Sequence, residues 1–525
     1  MASREIRLPH RFVKILTAAF VAIVLAPLAK AATDDQIAER LKALMDKAPK
    51  GAQAGVLVER ASDRKPVYLH DPAMPLAPAS NMKILTTAAA MEVLGQGFQY
   101  RTELKCRGTI EDGALKGDLV VVGAGDPTIS ARFQDNPQDV THVFRDWAAD
   151  LKKRRIRRVT GAVIGDDDAF DDVAAAPGWP EQQAAEWYCA EVSALVFNDG
   201  CVDVTWTGDK SEGAAASPSL NPQTSYLTLV NDVQSRKDKK LWVRRYDRDG
   251  QGNTVTCHGA VGPGKTAVDS VSVSGATLYF ATVFRDTLIA EGIKVDGLAR
   301  DLDDLGDKSP YRQGLKQLAA YDSPPLEDIV FEANQHSQNL FAELLLKTIG
   351  RKQSGEGSFA SGTRAVLKFL EANGVPTEGL NLVDGSGLSH DDRVTAQALI
   401  GALRAADAAP WRDAYRASFP IGGKTGTLSR RFKQAPIKAT PATKTPSSKS
   451  PASKSPAKSK KKTDDPARRI IAKTGTIKGV RALSGWASQP DGTEYRFSIL
   501  LNNDPGGVTG GVHWIDSMAL AIAEK

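Results

Sequence analysis

Two kinds of hydropathy pattern alternate along this chain, and their order restricts the fold more than any other feature. Residues 99–316 consist mostly of short strand-like runs between Gly and Asp turns, whereas both flanks mix helical and strand-like patterns. A long β-rich stretch between two mixed stretches is typical of one domain interrupted by an insertion. We therefore predict an α/β fold whose domain comprises residues 32–98 and 317–525 and is split by this β-rich insertion.

Local patterns predict individual elements in both parts of this domain. Alternating runs around a polar turn predict a β-hairpin over 55–70, and helical spacing that stops at Gly95 predicts a helix over 80–94. Within the insertion, the run VSVSGATLYFATV (271–283) is assigned to a strand. Further helices are predicted at 326–349, 357–373, 395–407 and near 512–524, and further strands at 480–488 and 495–503.

The N-terminus has the three parts of an export signal. Basic residues precede the apolar run Ile15–Leu28, and Ala29-Lys30-Ala31 follows it as a small-x-small cleavage site. An uncleaved anchor helix is the alternative, but the run is shorter than the about 20 residues that a membrane-spanning helix needs. We predict a signal peptide at 1–31 and export to the periplasm or the cell-wall space.

A cationic repeat interrupts the second part of the domain. Residues 440–454 read TPATK, TPSSK and SPASK, with almost no apolar bulk to offset the entropy of ordering. We predict that 433–468 is a disordered insertion that contacts an anionic wall or membrane surface. A tolerated insertion without a role is the alternative, because long loops cost little closure entropy.

The net charge is divided unevenly along the chain. Residues 1–31 and 433–469 carry net charges of +4 and +9, whereas the whole chain carries +6. The remaining residues are therefore acidic overall, and we expect no nucleic-acid partner because no basic face is evident.

The four cysteines leave two interpretations open. None forms a CxxC pair, which argues against a zinc or redox motif. Export would permit disulfides, with three possible pairings, but four unpaired buried thiols fit the sequence equally well. The residues are Cys106, Cys189, Cys201 and Cys257.

Ser80 and Lys83 have the spacing of an activated nucleophile. At i and i+3 of a helix start the two side chains share a face, and a lysine in a dry pocket has a lowered pKa and can accept the serine proton. Three other S-x-x-K pairs lie in the hairpin turn or the repeat segment, where no lysine is desolvated. A helix-capping serine beside a solvated lysine is the alternative.

Two later motifs supply complementary groups. Ser337-Gln338-Asn339 places a hydroxyl and an amide before a helical run, where they can relay a proton and bind a substrate amide, although Ser is also a common helix cap. Lys473-Thr474-Gly475 begins a strand, and its cation, hydroxyl and glycine suit a terminal carboxylate.

In this order, the three motifs resemble those of the penicillin-recognising serine enzymes, S-x-x-K, S-x-N and K-T-G. More closely, the chain resembles the D-alanyl-D-alanine carboxypeptidase/endopeptidase family of class C low-molecular-mass penicillin-binding proteins (peptidase family S13). The resemblance implies a penicillin-binding/β-lactamase-like transpeptidase domain, an antiparallel sheet with helices. The blocks that carry it are PASNMKILTTAAA, GAGDPT, GWP, VSALVFN, SQNLFAELLL, VDGSGLS, GKTGTLSRRF and AKTGTIKGVRALSGW.

The resemblance also implies an activity and its residues. The activity is that of a serine DD-peptidase that cleaves D-Ala-D-Ala termini or cross-links of peptidoglycan stem peptides through an acyl-enzyme. It implies no cofactor and no metal ion, and it implies β-lactam antibiotics as covalent inhibitors. The implied residues are Ser80 as nucleophile, Lys83 as general base, Ser337 as proton relay, Asn339, Lys473, Thr474 and Gly475 as substrate-binding residues, and the backbone N–H groups of Ser80 and Thr476 as the oxyanion hole.

The sequence departs from the family pattern at two places and duplicates one motif. K-T-G occurs at Lys424 and at Lys473, and we assign the catalytic copy to Lys473 because two strands and a terminal helix follow it. The cationic insertion before Lys473 is longer than usual for the family. Trp179 is followed by Pro-Glu-Gln rather than by the aspartate that recognises the amino end of the stem peptide.

Two other functions remain as alternatives. A β-lactamase-type hydrolase of the same fold would share the motifs, but the long insertion argues against it. A noncatalytic protein that binds wall polymer or another polyanion would use the cationic insertion, but it would not need Lys83 and Lys473.

Overall fold

The structure, a computed structural model, describes residues 31–250, 252–433 and 465–525. The predicted signal peptide, apart from Ala31, and residues 434–464 of the predicted cationic insertion lie outside the described residues. Within the three described ranges, no helix is both long enough and apolar enough to cross a membrane.

Ten α-helices and eighteen β-strands lie in the described part of the chain. The helices are α1 Asp34–Met45, α2 Met82–Leu94, α3 His142–Lys153, α4 Ala276–Ala290, α5 Leu326–Gln335, α6 Asn339–Ser354, α7 Phe359–Ala372, α8 Ala396–Ala408, α9 Arg412–Ala417 and α10 Gly507–Ala523. The strands are β1 Gln53–Arg60, β2 Pro66–His70, β3 Arg101–Glu111, β4 Ala114–Val122, β5 Arg158–Val159, β6 Val163–Asp166, β7 Cys201–Thr207, β8 Ser217–Asn221, β9 Thr228–Ser235, β10 Arg245–Arg248, β11 Thr254–Val261, β12 Thr266–Ser272, β13 Lys294–Val295, β14 Ala299–Asp301, β15 Lys316–Asp322, β16 Ile470–Ile477, β17 Val480–Ser488 and β18 Glu494–Asn502.

A five-stranded antiparallel sheet unites the two ends of the chain. Its strand order is β16-β17-β18-β1-β2, and the central pairing places Gln53 of β1 opposite Asn502 of β18. The hairpin predicted over 55–70 is β1 and β2, and the strands predicted at 480–488 and 495–503 are β17 and β18. Sequence segments on either side of the insertion therefore form one sheet, as an interrupted α/β domain requires.

Successive side chains of this sheet enter two different cores, as strand geometry dictates. Val56 and Val58 of β1 and Leu483 of β17 pack with α1 and α10 on one face. Leu57 and Trp486 pack on the opposite face, in the core that contains α2, α6, α7 and α8. The sheet is thus covered by helices on both faces, and α2 lies in the larger of its two helical cores.

The insertion forms sheets of its own. Strands β3–β15 make a seven-stranded sheet and two three-stranded sheets, around a core that includes Phe144, Trp147, Trp206 and Phe280. Among the described strands, none of these pairs with the five-stranded sheet. The pairing supports the boundaries proposed above, which stay a prediction.

The prediction of a strand over 271–283 is wrong. Residues 266–272 form β12, but Gly275 adopts φ +75° and the chain then enters α4. Eight residues of α4 are buried, among them Tyr279, Phe280 and Phe284, so this helix has no wide polar face to reveal its period. Its Thr, Tyr, Phe and Val residues also favour strands on propensity alone.

The helical run predicted over 326–349 is two helices with a sharp turn between them. Residues 336–338 separate α5 from α6, and Ser337 at the centre of this turn adopts φ +61°. A left-handed conformation is unfavourable for a residue with a Cβ atom and is found disproportionately at functional sites. The break directs Ser337 away from both helix axes and towards β16, where Lys473 lies.

Candidate active site

Ser80 and Lys83 lie at the start of α2. A 3₁₀ turn over Ala79–Asn81 leads into the helix, and Lys83 Nζ donates a hydrogen bond to Ser80 Oγ at 3.1 Å. Ala79, directly before the serine, adopts φ +46°. After Ser337, it is the second non-glycine residue of the site in the left-handed conformation. The i, i+3 spacing therefore brings the two side chains into contact at a strained helix start.

The amine of Lys83 is enclosed by three acceptors. Besides Ser80, it donates to Asn339 Oδ1 at 2.7 Å and to the Ser386 carbonyl at 2.9 Å. The side chain is fully buried, and this burial lowers the pKa of Lys83 to about 8, although the charges of Glu343 and Asp384 act in the opposite direction. Lys83 can therefore be neutral close to physiological pH and accept a proton from Ser80.

Ser337 and Asn339 reach the site from the turn before α6. Ser337 Oγ accepts a hydrogen bond from Lys473 Nζ at 2.8 Å. Asn339, which accepts from Lys83, also donates through Nδ2 to the Tyr188 carbonyl at 2.9 Å. The S-x-N segment thus connects both lysines of the site and ties them to the insertion.

Lys473 occupies the edge strand β16 next to the start of α2. Burial lowers the pKa of Lys473 well below its ordinary value, and the nearby charge of Lys83 lowers it further. Asn81 Nδ2 donates to the Lys473 carbonyl at 3.0 Å, which joins β16 to the helix start. A Cβ atom on Gly475 would lie 2.7 Å from the Pro78 carbonyl oxygen, so this close approach requires glycine.

The two K-T-G copies have different surroundings. Lys473 is followed by β17, β18 and α10, the layout on which its assignment depends, whereas Lys424 is exposed on a turn outside the sheet. The second copy is nevertheless close, because Thr427 Oγ1 lies 2.8 Å from Thr474 Oγ1. The duplicated segment therefore supports the edge of β16 but does not direct its lysine into the site.

A cleft with a volume of about 730 Å³ opens beside Ser80 and the S-x-N segment. Its lining combines Ser80, Ser337, Asn339 and Thr476 with residues of the insertion and of the loop after α7. Those additional residues include Trp187, Tyr188, Gly387 and His390. The β-rich insertion consequently forms one wall of the cleft.

Sequence reasoning assigned no role to the segment 384–389, which the structure places against Ala79 and Lys83. Gly387 adopts φ +79°, and a Cβ atom there would lie 1.8 Å from the Ala79 carbonyl oxygen. Asp384 holds the segment by accepting from the Gly387 and Ser389 amides at 2.6 and 2.8 Å. The VDGSGLS block indicates this turn from sequence, since two glycines beside an aspartate predict a tight turn.

The sequence left the pairing of the four cysteines open. All four cysteines are buried and have free thiols, so the unpaired interpretation holds for this structure.

Within the described ranges, one group of three carboxylates is close enough to share a cation, and it lies in the insertion outside the cleft lining. It consists of Asp167, Asp301 and Asp303.

Comparison with known proteins identifies the family. The model of the D-Ala-D-Ala carboxypeptidase 3 (S13) family matches residues 37–450 and 456–521. A D-alanyl-D-alanine carboxypeptidase of Actinomadura sp. (strain R39) is 30% identical over 493 residues, which cover 92% of this chain and 83% of the relative.

Solved structures agree with the described fold. The crystal structure of penicillin binding protein 4 (dacB) from Haemophilus influenzae has a TM-score of 0.73 at 23% identity, and the match covers 92% of this chain and 97% of that one. The same protein complexed with a novel β-lactam has a TM-score of 0.67 at 22% identity, covering 92% and 98%. This chain therefore belongs to the D-Ala-D-Ala carboxypeptidase 3 (S13) family, and the predicted fold class and D-Ala-D-Ala carboxypeptidase activity are confirmed.

Proposed function

We propose that Ser80 is the nucleophile with which this D-Ala-D-Ala carboxypeptidase cleaves the stem peptides of peptidoglycan. The observation that carries the proposal is the contact of Ser80 Oγ with the amine of Lys83, which is fully buried and has a lowered pKa. A desolvated amine at hydrogen-bonding distance is a competent general base for a serine hydroxyl.

Acylation then follows from the positions of the side chains. Ser80 Oγ attacks the carbonyl carbon of the penultimate D-Ala while Lys83 takes its proton. The backbone N–H groups of Ser80 and Thr476 stabilise the oxyanion. The C–N bond breaks as the proton taken up by Lys83 passes through the Ser337 hydroxyl to the leaving amine, which leaves Lys83 neutral for deacylation. That amine belongs to a terminal D-Ala in carboxypeptidase action and to a neighbouring stem peptide in cross-link cleavage.

Deacylation uses the same groups in reverse. Water adds to the acyl carbon, Lys83 accepts the proton of the water, and the bond from the carbon to Ser80 Oγ breaks as the serine regains its proton. The substrate is held by Asn339 and by Lys473, whose cation binds the terminal carboxylate beside Thr474 and Gly475. The 2.8 Å contact between Lys473 and Ser337 supports this placement, because carboxylate and leaving amine are adjacent in the substrate.

β-Lactam antibiotics are expected to acylate the same serine, as their amide ring presents an activated carbonyl to the cleft. The test is incubation with a fluorescent penicillin, followed by gel analysis and identification of the labelled peptide. Ser80→Ala should abolish both labelling and release of D-Ala from a stem pentapeptide. Ser62→Ala is the matched control, because Ser62 begins an S-x-x-K pair that is exposed in the β1–β2 turn.

A long-lived adduct on Ser80 supports a DD-peptidase, and rapid turnover of the label would instead support a β-lactamase. Labelling of the Ser80→Ala variant, or loss of labelling in the Ser62→Ala variant, would contradict the assignment of the nucleophile.

We also propose that the chain is exported and that its cationic insertion contacts an anionic surface. The basic leader and apolar run at 1–31 support export, and the net charge of +9 over 433–469 supports attraction to wall polymer or lipid headgroups. Activity on soluble peptides would not require this contact, since the catalytic groups lie on other segments.

A further inference from the structure

A buried carboxylate lies behind the general base without touching it. Glu343 is fully buried on α6, one helical turn after Asn339, so both side chains occupy the same face of the helix. Asn339 contacts Lys83 directly. Glu343 instead accepts hydrogen bonds from two consecutive backbone amides, Gly385 N at 2.7 Å and Ser386 N at 2.8 Å.

The segment that Glu343 holds is the one that contacts Lys83. The Ser386 carbonyl accepts from Lys83 Nζ at 2.9 Å, and the preceding Gly385 carbonyl accepts from Thr86 Oγ1 at 2.8 Å. Lys83 and Thr86 are three residues apart on α2, so the segment 385–386 is fastened between α2 and α6. Glu343 binds its amides on one side, and α2 binds its carbonyls on the other.

Only a carboxylate can satisfy both amides in this arrangement. Each of its oxygens accepts one N–H, whereas the amide of a glutamine would turn an NH₂ donor towards one of the two N–H donors. In a buried site the resulting unpaired donor is costly, and the segment would shift to relieve it.

We propose that Glu343 is a positioning residue for the general base: by fixing the main chain of 385–386, it holds the carbonyl that aims the amine of Lys83 at Ser80 Oγ. This inference rests on the proposed function of Lys83 as the base. It adds a role for a residue that touches neither the substrate nor the nucleophile.

The charge of Glu343 gives this role a measurable signature. A carboxylate near Lys83 favours the ammonium form, and the ammonium in turn favours the carboxylate against the burial that raises the pKa of Glu343, so the two groups titrate as a coupled pair. Without the carboxylate, the amine becomes neutral at a lower pH. The other charged groups that face this pair are Asp384, Asp392, Lys347 and Lys473.

The experiment measures the second-order acylation rate with fluorescent penicillin across pH for the full chain and for Glu343→Gln. We expect the rate to fall by roughly 100-fold, the cost of an ångström-scale misplacement of a reacting group. We also expect the acid limb of the profile to move to lower pH. Glu59→Gln is the matched control, because Glu59 is equally buried but pairs with Arg404 and Arg496 away from the cleft.

Glu343→Asp separates the effect of geometry from the effect of charge, and it still tests the proposal if Glu343→Gln does not fold. It keeps the carboxylate but shortens its reach, so the rate should fall while the acid limb stays in place. The proposal is wrong if Glu343→Asp acylates at the wild-type rate, if the acid limb of a folded Glu343→Gln variant does not move, or if Glu59→Gln shows the same changes. Failure of the proposed function is distinguishable, since Ser80→Ala would then still be labelled.

Discussion

Replacement of Gly387 by alanine tests how closely the segment 384–389 must approach the nucleophile. An added Cβ atom would lie 1.8 Å from the Ala79 carbonyl oxygen, whereas carbon–oxygen contacts seldom come closer than about 3.3 Å. The segment must therefore retreat by roughly 1.5 Å, the difference between these distances. Because Ser386 precedes this glycine and Ala79 precedes Ser80, the retreat separates the carbonyl at Lys83 from the nucleophile.

Gly355 provides a matched control for the backbone cost. It adopts φ +83° at the end of α6, close to the φ of +79° at Gly387, but an added Cβ atom would meet nothing within 4 Å. Each alanine carries the penalty of a left-handed residue, about 1–2 kcal/mol. Only Gly387→Ala adds the displacement, and an ångström-scale displacement at a reacting group costs up to roughly 100-fold in rate.

The assay pairs thermal unfolding with stopped-flow acylation by a fluorescent penicillin. Both variants should unfold at a lower temperature than the wild type, but only Gly387→Ala should acylate slowly. Equal acylation rates for Gly387→Ala and Gly355→Ala would refute the argument that this approach positions the site.

Three further predictions concern the lysines and the cationic insertion. Lys473→Ala should remove most activity whereas Lys424→Ala should retain it, as measured by D-Ala release; the reverse result would contradict the assignment of the catalytic K-T-G. Because Lys473 has a strongly lowered pKa, it loses its charge as pH rises, so KM for a peptide with a free terminal carboxylate should increase at alkaline pH while KM for the matching amide changes little. Deletion of 438–464 should leave activity on soluble peptides unchanged but weaken binding to wall sacculi at low salt; equal binding by both proteins would exclude the surface contact.

Local patterns predicted those parts of the fold and site in which neighbours in sequence decide the structure. The hairpin β1–β2 joins residues that are close in sequence, such as Val56 and His70, and the start of α2 and the contact between Ser80 and Lys83 depend on residues within one helical turn. The position of Lys473 followed from the order of the elements after it. These features required no knowledge of distant partners.

The features that escaped prediction depend on tertiary packing. Helix α4 was assigned to a strand because burial on most sides hides its period. The amide contacts of Glu343 join residues 42 and 43 positions apart, and nothing in the helix pattern marks this glutamate as buried. Helix α3 is amphipathic, so the spacing of its apolar residues was sufficient to predict this helix within the β-rich insertion.

The pairing of Gln53 with Asn502 also determines when this enzyme can become active. During synthesis the hairpin β1–β2 and the nucleophile helix emerge early, but their partner strand β18 and the strand that carries Lys473 emerge almost last. Such non-local pairing slows folding and leaves sheet edges exposed until the chain is nearly complete. A nascent or truncated chain consequently carries Ser80 and Lys83 without Lys473 beside them, so the site is assembled only after nearly the whole chain has been made.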